Sequence, residues 1–120
     1  MRYLCQVYME ENALGVLSEP EMARLDRDSA DYDTALAKTG HLVHAEALQS
    51  PATATTVRVR GGKVSVTDGP FAETKEHLGG FILIEASDLD EAIRIASGIP
   101  IARFASVEIR PIYDFRKGWR

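Results

Sequence analysis

Val66 to Gly80 reads V-T-D-G-P-F-A-E-T-K-E-H-L-G-G, and it joins two strand-like runs of different character. Before it, Thr56-Val57-Arg58-Val59-Arg60 and Lys63-Val64-Ser65-Val66-Thr67 flank Gly61-Gly62. Valines alternate with polar residues on both sides of the two glycines, which is the pattern of a β-hairpin. After it, Phe81-Ile82-Leu83-Ile84 is apolar on both faces, as a central strand covered on both sides would be. Asp68-Gly69-Pro70 supplies a turn. The connection then runs on past the roughly two to five residues a hairpin needs. It carries Phe71, Glu73, Lys75, Glu76 and His77. A long charged loop between core strands is where function often sits.

Upstream, Tyr3 to Tyr8 is rich in β-formers and reads as a strand, followed by a loop from Met9 to Leu17. Ser18-Glu19-Pro20-Glu21 has the form of a capping box with proline in the first turn. Met22, Leu25, Tyr32 and Leu36 share one helical face, and Gly40 supplies a left-handed stop. Arg24 with Asp28 and Arg27 with Asp31 have the spacing of ion pairs on the wet side. Leu42 to Leu48 reads as a second strand, with Leu42, His44, Glu46 and Leu48 on one face. Downstream, Asp88 and Glu91 open a second helix with Leu89, Ala92, Ile93 and Ala96 as its buried stripe, ended by Gly98 and Pro100. A last strand spans about Phe104 to Ile112, and the tail to Arg120, with Trp119, has no readable period.

The order is β-α-β, hairpin, β-α-β. That predicts a single α+β domain over 1–120, a ferredoxin-like split βαβ with an inserted β-hairpin. Helices cover only one face of such a sheet. The doubly apolar Phe81–Ile84 strand therefore predicts a second copy on the open face, in a homodimer or higher homo-oligomer.

With 120 residues, 45% of them hydrophobic and 27% charged, the chain is long enough for one real core. A net charge of −4 argues against nucleic-acid binding. The basic residues Arg116, Lys117 and Arg120 form only a short tail. Cys5 is the single cysteine, so no internal disulfide forms, which suits a cytoplasmic location. Neither a secretory signal nor an apolar run of membrane-spanning length is visible.

From Thr56 to Glu85 the chain reads T-V-R-x-R-x-G-K-V-x-V-T-D-G-P-F-A-E-T-K-E-x-L-G-G-F-x-L-I-E. This closely resembles the DGPF group of the YCII-related family. The later S-D-L-D-E-A and V-E-I-R-P-I fit the family's second helix and last strand. The resemblance covers essentially the whole chain. It implies a dimeric α+β barrel and no one reaction. It also implies a link to extracytoplasmic-function sigma factors. Some relatives are thought to be enzymes using a His–Asp pair, and related barrels include monooxygenases, dehalogenases and isomerases.

Asp68 is a candidate general acid or base; equally, it is a turn-former whose side chain accepts from amides two residues on. His44 lies in a strand with Glu46 on its face, so a carboxylate can orient the imidazole; equally, it is an ordinary polar strand residue. Glu46, Phe71, Glu73, Lys75 and Arg110 are candidate ligand-binding residues. The alternative for Glu73 to Glu76 is a solvated helical turn. Gln6, Glu108 and Arg110 are polar residues inside strands, lining a pocket or pairing with each other. His41, His44 and His77 lack metal-ligand spacing, so no metal is expected. Gly61-Gly62 and Gly79-Gly80 lack a phosphate-loop context, and no cofactor is expected. Cys5 reads as a small buried hydrophobe. The leading expectation is a protein that binds or converts a small polar molecule by cofactor-independent acid–base chemistry. His44 and Asp68 would act in a pocket between sheet, helix and the Asp68–His77 loop. The alternative is a regulatory interaction module with an exposed apolar patch.

Overall fold

Tyr3, Cys5 and Val7 alternate with Leu4, Gln6 and Tyr8, and this period of two makes strand β1, Arg2–Glu10, with the first set buried. The structure, a computed structural model, describes residues 1–117; Trp119 and Arg120 lie outside the described residues. Helix α1, Glu19–Lys38, begins at the expected capping box. Ser18 Oγ accepts from the Glu21 amide, and the Glu21 carboxylate accepts from the Ser18 amide. It stops before Gly40, whose φ of 80° only glycine adopts freely. Neither Arg24–Asp28 nor Arg27–Asp31 comes within ion-pair distance; on an exposed helix face such long side chains gain little by being fixed.

Strands β2 (Leu42–Ala47), β3 (Thr55–Arg60), β4 (Lys63–Asp68) and β5 (Glu76–Glu85) follow, then helix α2 (Leu89–Ser97), a 3-10 turn at Pro100–Phe104, and strand β6 (Ser106–Pro111). The main sheet has the order β2-β5-β1-β6 with every neighbour antiparallel. This is the ferredoxin-like arrangement, with β3–β4 inserted as a separate two-stranded sheet. Tyr3, Cys5, Ile82 and Ile84 from the sheet pack with Leu36 of α1 and with Ala92, Ile95 and Ala96 of α2 on one face. Cys5 and Ile84 are fully buried, and burial pushes the Cys5 thiol up to about 11, as suits a packing residue.

Four boundaries or faces differ from the sequence expectation. Strand β5 begins at Glu76, so Gly79 and Gly80 lie inside it and no helical turn forms at Glu73–Glu76. A bulge between Leu42 and His44 turns Leu42 to the core beside Ala45, leaving His44 and Glu46 on the opposite face. Helix α2 buries Ala92, Ile95 and Ala96, whereas Leu89 and Ile93 are exposed. Both stripes satisfy helical spacing; continuation of the second to buried Ile99 decides between them. Residues 100–104 form the 3-10 turn, so the last strand starts at Ser106.

The hairpin's tip is Gly61-Gly62 with φ of 57° and 76°, the geometry of a tight two-residue connection. Apart from each other, β3 and β4 have no substantial packing partner among the elements. The chain is consequently broad and flat, 46 × 45 × 20 Å. Its radius of gyration is 16.5 Å, against about 14 Å expected for a compact domain of this length.

Candidate functional site

The sheet face turned away from the helices carries two rows of side chains, fixed by strand register. One runs His44, Leu83, Leu4, Arg110; the other Glu46, Phe81, Gln6, Glu108. His44 Nε2 stands 2.9 Å from Glu46 Oε2, with the imidazole centroid 6.0 Å from the Phe81 ring and tilted by 48°. The bulge in β2 sets this up, because it keeps both polar side chains off the core face. The pair lies on an edge strand, each side chain more than half exposed. Arg110 lies at the far edge of the same face, three strand steps or about 14 Å from His44. Phe81, Leu83 and Leu4 between them are half-buried.

Asp68 is elsewhere, at the end of β4 in the separate hairpin sheet, and exposed. Its carboxylate has no hydrogen-bond or ion-pair partner among the described residues. The residue two positions on is Pro70, which has no amide hydrogen to offer. The turn is held instead by the Gly69 amide donating to Ala54 O (2.7 Å) and the Thr56 hydroxyl donating to Gly69 O (2.8 Å). Phe71 is 77% exposed, and its carbonyl accepts from Arg58 at 3.2 Å. Lys75 pairs with Glu10 at 3.4 Å on the surface, and Glu73 is exposed. The loop reaches a shallow groove of about 430 Å³ through Thr74 and Glu76, which line it with Tyr8, Ser106 and Glu108.

A second cavity, of about 280 Å³, opens between α1 and the helix-side face of the sheet. Its floor is Val7, Gly80 and Ile82. From α1 it receives Met22, Asp26, Ser29 and Asp33, spaced so that one helical stripe faces it. Tyr32, which also lines it, donates its hydroxyl to Ile95 O at 2.6 Å. Burial, and then the neighbouring Cys5, raise the Tyr32 phenol above its ordinary value. Burial alone raises the Asp33 carboxyl. Asp33 has no hydrogen-bond or ion-pair partner among the described residues. Asp26, Asp33 and Glu46 are the charged lining residues, and no lysine, arginine or histidine is among them. Reading the apolar stripe of α1 alone missed this site. The signal was Asp26, Ser29 and Asp33 recurring at helical spacing beside that stripe.

Among the described residues no three or more His, Cys, Asp or Glu are grouped to hold a metal ion. No described helix is long and apolar enough to cross a membrane.

Comparison with known proteins adds three findings. The YCII-related domain family matches residues 1–116. A Rhizobium meliloti protein described as uncharacterized is 35% identical over 120 residues, covering 98% of this chain and 97% of its own. Among solved structures, a 5-chloro-2-hydroxyhydroquinone dehydrochlorinase from Burkholderia phenoliruptrix, in complex with 2,5-dihydroxybenzoquinone, superposes with a TM-score of 0.55. It covers 94% of each chain at 14% identity, a likeness of fold.

Proposed function

The chain belongs to the YCII-related family, and we propose that it binds a small molecule in the cleft between α1 and the sheet and converts it by acid–base chemistry without a cofactor. The observation that carries this reading is Asp33, a half-buried carboxyl with a raised pKa and no partner, lining a cavity of about 280 Å³. That volume is at the small end of ligand pockets, so the ligand is a small one. The apolar floor takes its body, and the Asp26 and Asp33 carboxylates of α1 favour a positively charged or hydrogen-bond-donating head over an anion. A carboxyl raised toward working pH is better suited to exchange a proton than an ordinary surface acid. That the dehydrochlorinase with a bound small molecule has this fold agrees with such a use, at the level of fold.

His44 with Glu46 is the second acid–base candidate, on the open sheet face, and acts on a ligand only if another surface closes over it. The test is a titration of small aromatic amines and aromatic carboxylates, followed by amide NMR shifts. Amines should perturb α1 and β5, and carboxylates should not. Asp33→Asn should weaken binding or turnover about 10²-fold, the scale of losing an acid–base group. If Asp33→Asn is silent and His44→Gln abolishes binding, the site is the open face instead.

A second reading is a non-enzymatic regulatory module linked to an extracytoplasmic-function sigma factor. One observation favours it: the valines on one face of the hairpin are uncovered. It predicts that no small molecule shifts the cleft's resonances.

A further inference from the structure

Gly98 follows α2 with a φ of −90°, a backbone conformation open to any residue, so glycine is not needed there for its freedom. What it supplies is room. A Cβ at this position would stand 2.5 Å from the Tyr32 hydroxyl oxygen, 2.9 Å from its Cζ and 3.0 Å from its Cε1. The phenol, carried by α1, therefore occupies a notch that any side chain would fill. Its hydroxyl donates to Ile95 O at 2.6 Å, and the same carbonyl accepts from the Gly98 amide at 3.1 Å. Ile95 O lies in the last turn of α2, where carbonyls have no partner further along their own helix.

This tie falls where α1 is otherwise least anchored. The buried residues of α1 are Leu25 and Leu36, about 16 Å apart along the axis. Between them lie Ser29, Tyr32 and Asp33, the stretch that walls the cleft. Among the described residues, no other α1 side chain hydrogen-bonds to another strand or helix. Ile99, Pro100 and Ile101, which follow Gly98, also line the cleft. From this geometry we propose that Tyr32 is a positioning residue: seated in the Gly98 notch and bonded to Ile95 O, it ties α1 to the corner after α2 and fixes how deeply Asp33, the next residue, sits in the cleft. The proposal rests on the reading of the cleft as a ligand site and deepens it. Tyr32 itself exchanges no proton. Its phenol is raised above an ordinary value of 10.0 and stays protonated, and its one proton is committed to Ile95 O.

The test uses Tyr32→Phe, which keeps the ring and deletes the bond, and Gly98→Ala, which fills the notch. Benzylamine is the probe, and the Asp33 carboxyl is titrated by carbon NMR without ligand. In both variants α1 should loosen, so the Asp33 pKa should fall from its raised value toward 3.8 as water reaches it. Benzylamine binding should weaken about 2- to 10-fold in Tyr32→Phe, the scale of one net hydrogen bond. Gly98→Ala should weaken it at least as much in the wild type but by less than about 2-fold on top of Tyr32→Phe, because the atom it strikes is gone. Amide shifts of β3 and β4, remote from the cleft, should not move, which separates a local change from misfolding. An Asp33 pKa unchanged in Tyr32→Phe overturns the proposal, since the ring would then only fill space. Losses that simply add overturn it too, since Gly98 would not be the seat of the hydroxyl. A wild type that binds no amine, while the Asp33 pKa still falls in both variants, instead sinks the ligand-site reading and leaves the tie supported.

Discussion

A methyl group at Gly80 would stand 2.8 Å from the Glu46 carbonyl oxygen and 3.2 Å from the Ala47 Cα, both backbone atoms of the neighbouring strand. Gly80→Ala must therefore push β2 away from β5, at an expected cost of about 1–3 kcal/mol in urea unfolding. At Gly79 the nearest atoms belong to the flexible Met9 side chain, the closest at 3.4 Å. Gly79→Ala should fall within about 0.5 kcal/mol of wild type or above it, because alanine restricts the unfolded chain. Asp33 makes a prediction of the opposite kind. Its folded carboxyl is raised by burial, so the fold holds that proton more tightly than the unfolded chain does. The stabilisation this gives is fully present below the ordinary value of 3.8 and is lost as pH climbs through the raised folded value. Asp33→Asn should remove that dependence and match or exceed wild-type thermal stability at neutral pH, while ligand binding falls. Neither Gly80's role nor Asp33's was legible in the sequence, since each depends on which backbone or helix lies opposite.

At the scale of elements, local chemistry was the readable part. Ser18 and Glu21 cap α1 reciprocally, as their spacing requires. Ser18→Ala should cost about 1 kcal/mol in thermal or denaturant unfolding. Hydrogen bonds from the Ser18 backbone and then its side chain hold the Glu21 carboxyl below its ordinary value. Its support for the helix is thus present at neutral pH and lost as pH falls through that lowered value. The Gly61-Gly62 turn and the alternation around it likewise specify the hairpin from within. The bulges between Val7 and Tyr8 and between Leu42 and His44 were not readable, because a bulge is defined against a partner strand. The α2 stripe was half readable: Ala92 and Ala96 belong to both candidate faces, and only packing chose Ile95 over Ile93.

Across the whole molecule, the sheet is finished on one side only. Leu83 is half-buried, with His44 and Leu4 as its neighbours on the open face. A leucine fully buried loses about 2–5 kcal/mol on truncation to alanine, and a half-exposed one loses less. With a second copy over that face, Leu83→Ala should cost at least about 2 kcal/mol at high protein concentration. On dilution the loss should shrink below about 1 kcal/mol. A loss independent of concentration would mean that the face stays open to water. The hairpin has a further consequence, in the order of events as the chain folds. Its contacts are local across two glycines, so it can form in about 1–10 μs. Strands β1 and β5 must instead bring Arg2 to Glu85, a long-range pairing of the slow kind. Newly made chains therefore display a ribbon of valines well before the main sheet has formed, when ribbons from different chains are most prone to stack into aggregates. Arg58, Arg60 and Lys63, set between those valines, act as gatekeepers, since like charges on neighbouring ribbons oppose edge-to-edge growth.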